Sequence, residues 1–72
     1  MEITYDKETD ALYIEFQKGD FHKNQKINEN LILDLDTNGN ILGMEFINIS
    51  KKIPSESLSQ VNVKNIFATL AP

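Results

Sequence analysis

The chain has no cysteine, no arginine, a single histidine and only two prolines among seventy-two residues. Each scarcity removes a class of explanation. Without cysteine there is no disulfide to staple a small fold and no thiolate to hold a structural metal. Without arginine the chain lacks the usual bidentate reader of phosphates and guanine edges. All seven basic residues are lysines. They are scattered except for Lys51-Lys52, which reads as a solvated strand end, so direct nucleic-acid binding is not expected. His22 stands alone, away from any cysteine or serine pattern, and reads as a surface residue. No nucleophile–base set, phosphate-cradling glycine loop or His/Cys cluster is visible, so neither catalytic residues nor a cofactor nor a resident metal is expected. No apolar run approaches the ~18 residues of a membrane helix, and no signal-peptide pattern opens the chain. The expectation is a cytoplasmic, non-enzymatic protein that does not span a membrane.

What is present is ordinary for a soluble domain: 40% hydrophobic residues and a net charge of −4. The composition is too apolar for disorder. Residues 1–72 read as one small domain. A chain of this size buries only about 60% of its unfolded surface. It must rely on a compact sheet-plus-helix core, on self-association, or on a partner.

The most informative stretch is 31–50, LILDLDTNGNILGMEFINIS. Asn-Gly between alternating apolar residues is the strongest short-range hairpin signal, because a type I′ turn needs φ > 0 at both central positions. With Asn38-Gly39 as a two-residue loop, Leu35 falls opposite Leu42, Leu33 opposite Met44 and Leu31 opposite Phe46, all on one face. The other face pairs Asp36 with Ile41, Asp34 with Gly43 and Ile32 with Glu45. A slip of one residue would set Leu35 against Gly43 and Asp36 against Leu42, so turn chemistry and hydrophobic pattern select the same register.

The same residues fit a calcium loop. Asp34, Asp36, Asn38, Gly39 and Glu45 occupy positions 1, 3, 5, 6 and 12 of the EF-hand template. That motif needs helices on both sides. The preceding QKINENLIL is poor helix sequence, and Leu31, Leu33 and Leu35 recur at period two. A second candidate loop at residues 6–11 lacks the glycine and an entering helix. The hairpin reading is preferred. It still leaves Asp34, Asp36 and Glu45 near one another on one sheet face, where three carboxylates could hold a divalent cation. The plainer reading is that they keep that face soluble and support the turn. Gly43, opposite Asp34, marks a bulge or a close approach.

Around this hairpin, 2–5 (EITY) and 11–17 (ALYIEFQ) read as strands joined by the polar turn Asp6–Asp10, with Tyr5 opposite Leu12 and Ile3 opposite Ile14. Lys18-Gly19-Asp20 turns the chain, and 21–28 (FHKNQKIN) reads as an exposed edge strand guarded by lysines. Pro54 opens a helical segment that Ser55 or Ser57 can cap, Ser57 with Gln60 matching a capping box. Leu58, Val61, Val63, Ile66, Phe67 and Leu70 then form an amphipathic stripe, with Val61-Asn62-Val63 a weak point within it. The predicted fold is α+β: a small antiparallel meander of four or five strands with a C-terminal helix packed on the Leu31, Leu33, Leu35, Leu42, Met44 and Phe46 face. The opposite face is not cleanly polar. Ile32, Ile41, Ile47 and Ile49 fall on it beside the acids, whereas a solvated face alternates more sharply. Another chain, a second copy or a partner, is therefore expected to cover part of it.

Tyr5-Asp6-x3-Asp10-Ala11-Leu12-Tyr13-Ile14, followed by Ile32-Leu33-Asp34-x-Asp36-x2-Gly39-x3-Gly43-x-Glu45, resembles the small prokaryotic family called domain of unknown function 2283. The resemblance covers about residues 3–53, and residues 55–72 run beyond it. It implies that the Asp-rich segment is a β-hairpin. It carries no established activity. Some members of that family are encoded beside a small toxin-like protein, so it also implies an antitoxin-like role.

Two function classes follow. One is a non-catalytic protein-binding or regulatory module, acting on a protein partner or by self-association as a homodimer. Its acidic charge would suit a basic partner. The other is a divalent-cation (Ca/Mg) or small-ligand binder using Asp34, Asp36 and Glu45.

Overall fold

A computed structural model of the chain describes residues 1–64. Five strands form one antiparallel sheet: β1 (Glu2–Asp6), β2 (Ala11–Glu15), β3 (Lys23–Asn28), β4 (Leu31–Leu35) and β5 (Ile41–Ile47). They lie in the order β1-β2-β5-β4-β3. Two up-and-down runs, β1–β2 and β3–β4–β5, are thus joined edge to edge through β2 and β5. Among the described residues no helix is long and apolar enough to cross a membrane.

The first hairpin has the expected pairing, Tyr5 opposite Leu12 and Ile3 opposite Ile14. The Asp6 carboxylate accepts the Glu8 N–H at 2.9 Å, a side-chain-to-backbone bond that stands in for a backbone turn. Asp10 closes the connection with φ 56°, a left-handed conformation that Asp tolerates better than most residues.

The second hairpin keeps the expected pairing over most of its length. Leu31 faces Phe46, Ile32 faces Glu45, Leu33 faces Met44 and Asp34 faces Gly43. Near the turn it departs from expectation. Gly39 alone has positive φ, 82°, and Asn38 does not, so the connection is not a two-residue type I′ loop. The Gly39 N–H donates to the Asp36 carbonyl at 3.2 Å, and the Asp36 N–H to the Asn40 carbonyl at 3.0 Å. The loop is Thr37-Asn38-Gly39, the three-residue type with glycine in the left-handed position. Leu35 therefore pairs with Ile41, and a bulge before Asp34–Gly43 restores the register. Leu42 is the surplus residue. It does not sit opposite Leu35 but lines a cleft with Tyr13 and Asp34.

β3 is the exposed edge that its composition suggests, with every side chain in solvent. It starts at Lys23, later than expected. His22, exposed and outside the strand, donates its backbone N–H to the Leu35 carbonyl at 2.8 Å.

After β5 the chain turns at Asn48, which is left-handed (φ 53°, ψ 42°), into the 3₁₀ turn Ile49–Lys51. This turn corrects the placement of Ile49 on the second sheet face. The strand alternation ends at Ile47, and Ile49 becomes the most buried side chain, 1% exposed. It lines a groove with Leu31, Phe46 and Ile53, on the leucine side. The short helix α1 spans only Ser55–Leu58. Pro54 is its N-cap, and no side chain caps it. The Ser59 hydroxyl donates to the Glu56 carbonyl at 2.8 Å, closing that single turn. A packed C-terminal helix is thus not found among the described residues. Val61 and Val63 are exposed, and Ile66, Phe67 and Leu70 lie outside the described residues.

The sheet and this strap of chain after β5 bury few residues fully. The buried hydrophobic side chains are Leu35, Leu42 and Ile49.

Candidate functional site

Register divides the sheet into two unlike faces. On one, Tyr5, Leu12, Phe46 and Leu31 form a cross-strand row, next to the row Ile3, Ile14, Met44 and Leu33. On the other lie Glu2, Glu15, Gly43, Asp34 and Asn24 in one row and Thr4, Tyr13, Glu45, Ile32 and Lys26 in the next.

The centre of the acidic face is built around a missing side chain. Tyr13, opposite Glu45, leans diagonally across Gly43. A Cβ at Gly43 would collide with the Tyr13 hydroxyl. Only glycine lets the ring lie flat there, an aromatic side chain filling the gap above a strand glycine. The ring reaches past Gly43 to β4, where the hydroxyl donates to Asp34 Oδ2 at 3.0 Å. The other Asp34 oxygen accepts from Asn24 Nδ2 on β3. One polar chain thus ties β2, β4 and β3 across β5. Burial of the Tyr13 hydroxyl, then its bond to the Asp34 carboxylate, pushes its pKa up to about 12. Tyr13 is neutral, and a donor, throughout the physiological range. Beside it, Glu15, Gln17, Lys18, Gly19, Phe21 and Leu42 enclose a shallow cleft of about 150 Å³, too small for most ligands. The Lys18 ammonium sits 3.1 Å from Glu15 at its rim.

The three carboxylates singled out from sequence are not brought together. Asp34 is committed to Tyr13 and Asn24. Asp36 is committed to its own loop, accepting the backbone N–H groups of Asn38 at 2.9 Å and Asn40 at 2.8 Å, and the Asn40 amide at 3.0 Å. The Asn40 bonds, first the side chain and then the backbone, hold the Asp36 carboxyl below its ordinary pKa. Glu45 lies between Tyr13 and Ile32 in the neighbouring row. Among the described residues no group of three acidic, histidine or cysteine side chains could hold a metal ion.

A second polar knot sits at the far end of the sheet. The Tyr5 hydroxyl donates to Asp10 Oδ1 at 3.0 Å, and the Ser50 hydroxyl donates to Asp10 Oδ2 at 2.7 Å. The Ser50 N–H points at both oxygens, and the Ile49 N–H donates to the Asp10 carbonyl at 3.1 Å. This set locks the 3₁₀ turn to the β1–β2 connection and so seats Ile49. Ser50, then Tyr5, hold the Asp10 carboxyl below its ordinary pKa, against the opposing effect of burial.

The apolar face contrasts with both knots. Groove walls on it come from Leu31, Phe46, Ile49 and Ile53 at one side, about 540 Å³. At the other, Ile3, Tyr5, Leu12, Ile53, Leu58 and Val61 line about 660 Å³. Ile3 is 38% exposed, and Ile14, Met44 and Leu33 are only half-buried.

Among the described residues, fold and site define a small antiparallel β-sheet whose acidic face is bridged at its centre by hydrogen bonds and whose apolar face is half-buried. Within that class the identity is narrower: residues 2–50 match the family described as protein of unknown function (DUF2283), and the chain belongs to it. Neither a curated protein nor a solved structure matches the chain.

Tyr13 and Asn24 were not singled out from sequence as members of the Asp34 network. Gly43 opposite Asp34 was the available signal. It pointed to Tyr13 only once β2 was known to lie beside β5.

Proposed function

We propose that this protein is a non-catalytic binding module that works through protein–protein contact on its apolar sheet face. The observation that carries the reading is the row of exposed Ile3 and half-buried Ile14, Met44 and Leu33 in a sheet that, among the described residues, only the strap covers on that side. Such a face on a soluble protein marks an interaction surface. On the other face Tyr13, Asp34 and Asn24 are already engaged with one another, which supports contact rather than chemistry. The C-terminal helix expected to pack on this same apolar face belongs to the reading as part of what a partner would meet there. Antitoxin-like neutralisation of a partner protein is the form the family resemblance implies.

Affinity capture from the native host with the full chain tests it. A recurring partner retained by the wild type and lost on Ile3→Lys is expected. The same recovery with both chains removes the apolar face from the reading. Calorimetry with calcium and magnesium tests the cation alternative at Asp34, Asp36 and Glu45. Heat at millimolar ion that disappears in Asp34→Asn would favour that alternative.

A further inference from the structure

We propose that the apolar face pairs with the same face of a second copy of this chain, forming an isologous dimer. This rests on the protein-contact reading and names its partner. Domains generally stack two layers around a core. Here the described chain supplies one sheet and a strap at one end. A second copy supplies the missing layer.

Charge placement favours that occupant. The strand carboxylates Glu2, Asp6, Glu15, Asp34 and Glu45 all fall on the opposite face. Two copies of a chain of charge −4 can therefore meet across the apolar face without placing a strand carboxylate between them, although like net charge ordinarily keeps identical proteins apart. The sheet edges are the poorer route. Full antiparallel overlap of β1 with another β1 would set Glu2 opposite Asp6 twice, and like charges directly opposed are destabilising. Edge β3 carries Lys23 and Lys26 in solvent, which discourages strand addition.

Shape selects the arrangement. The strap follows the Tyr5–Leu12–Phe46–Leu31 end, where Leu58 and Val61 share a groove with Ile3, and Ile14, Met44 and Leu33 stay half-buried outside that groove. A two-fold axis in the interface, perpendicular to the strands, sets the strap of each copy over the half-buried row of the other. Val61 and Val63, exposed by 59% and 83%, then find apolar partners. Five strands about 4.8 Å apart and about 17 Å long give a face of roughly 400 Å² per copy. Two such faces, about 800 Å² in total, fall short of a standard specific interface, so the dimer is a weak one that forms reversibly with concentration.

Sedimentation velocity of the full chain from micromolar to millimolar concentration is the test. The expected result is conversion of the 8.2 kDa chain to twice that mass. Ile3→Lys should weaken the dimer about tenfold or more, and Glu45→Lys should leave it unchanged. Because the chain has no cysteine, single-cysteine variants report the face used. Met44→Cys should crosslink with a flexible bismaleimide, and Glu45→Cys should not. The reverse crosslinking pattern overturns the proposal, as does a monomer at every concentration. A monomer that still binds a hydrophobic dye leaves protein contact standing with a different partner. A monomer that binds none removes both readings, its face being covered from within its own chain.

Discussion

Gly43 carries more of this structure than its size suggests. Its absent side chain is the space in which the Tyr13 ring crosses β5 to reach Asp34. Gly43→Ala places a methyl against the Tyr13 hydroxyl and near the Ile14 carbonyl. Overpacking of this kind costs about 1–3 kcal/mol. Part of that clash is with Tyr13 itself, so the cost should be smaller when Tyr13→Ala is the background. Chemical denaturation of the four chains of that double-mutant cycle measures the coupling. Additive effects would mean that the ring does not depend on the glycine. The legible part of this site was the opposition of Gly43 and Asp34, which follows from hairpin register. Tyr13 was hidden because its role depends on β2 pairing with β5, two segments separated by more than twenty residues.

At the scale of elements, turns decide where side chains point. Gly39 sits at φ 82° with open space around the position of a Cβ, so replacing it strains the backbone without a steric clash. Gly39→Ala should lose about 1 kcal/mol, and Gly39→Asn less, because Asn tolerates the left-handed region. Equilibrium unfolding reads both. The Asp10 knot makes a separate prediction. Its carboxyl titrates below the ordinary value of 3.8 in the folded chain. A depressed carboxyl stabilises the fold fully above its unfolded pKa and ceases to do so as pH falls through its folded value. Thermal midpoints should therefore drop as the pH is taken below about 4. Asp10→Asn should be less stable at neutral pH and lose less on acidification. A variant with the same acid limb as the wild type would assign that limb to other carboxylates. The strands themselves were readable because period-two alternation and turn residues are local. The three-residue loop was not, since Asn38-Gly39 serves either turn and the bulge at Leu42 compensates for the choice.

For the whole molecule, the distribution of burial matters more than its total. Ile49, 1% exposed beneath the 3₁₀ turn, should cost about 2–5 kcal/mol on replacement by Ala. Leu33, half-buried in the row with Ile14 and Met44, should cost less in a dilute chain. Its penalty should grow with protein concentration where a second copy covers it, since association adds to the stability of the folded state. Urea titrations of both variants at two concentrations measure this. A Leu33→Ala penalty independent of concentration would count against a concentration-dependent covering layer.

Alternation and turn chemistry determined a meander of four or five strands, the pairing Tyr5–Leu12 and Ile3–Ile14, the central hairpin from Leu31–Phe46 to Asp34–Gly43, and the choice of hairpin over calcium loop. These are matters of neighbouring residues, where each side chain's face follows from its place in the chain. Tertiary structure alone decided that β5 lies beside β2, that Tyr13 bridges to Asp34, that Asp34 and Asp36 turn to different partners, and that Ile49 leaves the sheet for the core. Those outcomes depend on contacts between distant segments. They also depend on two left-handed residues, Asp10 and Asn48, of types that tolerate this conformation, held in it by the surrounding fold.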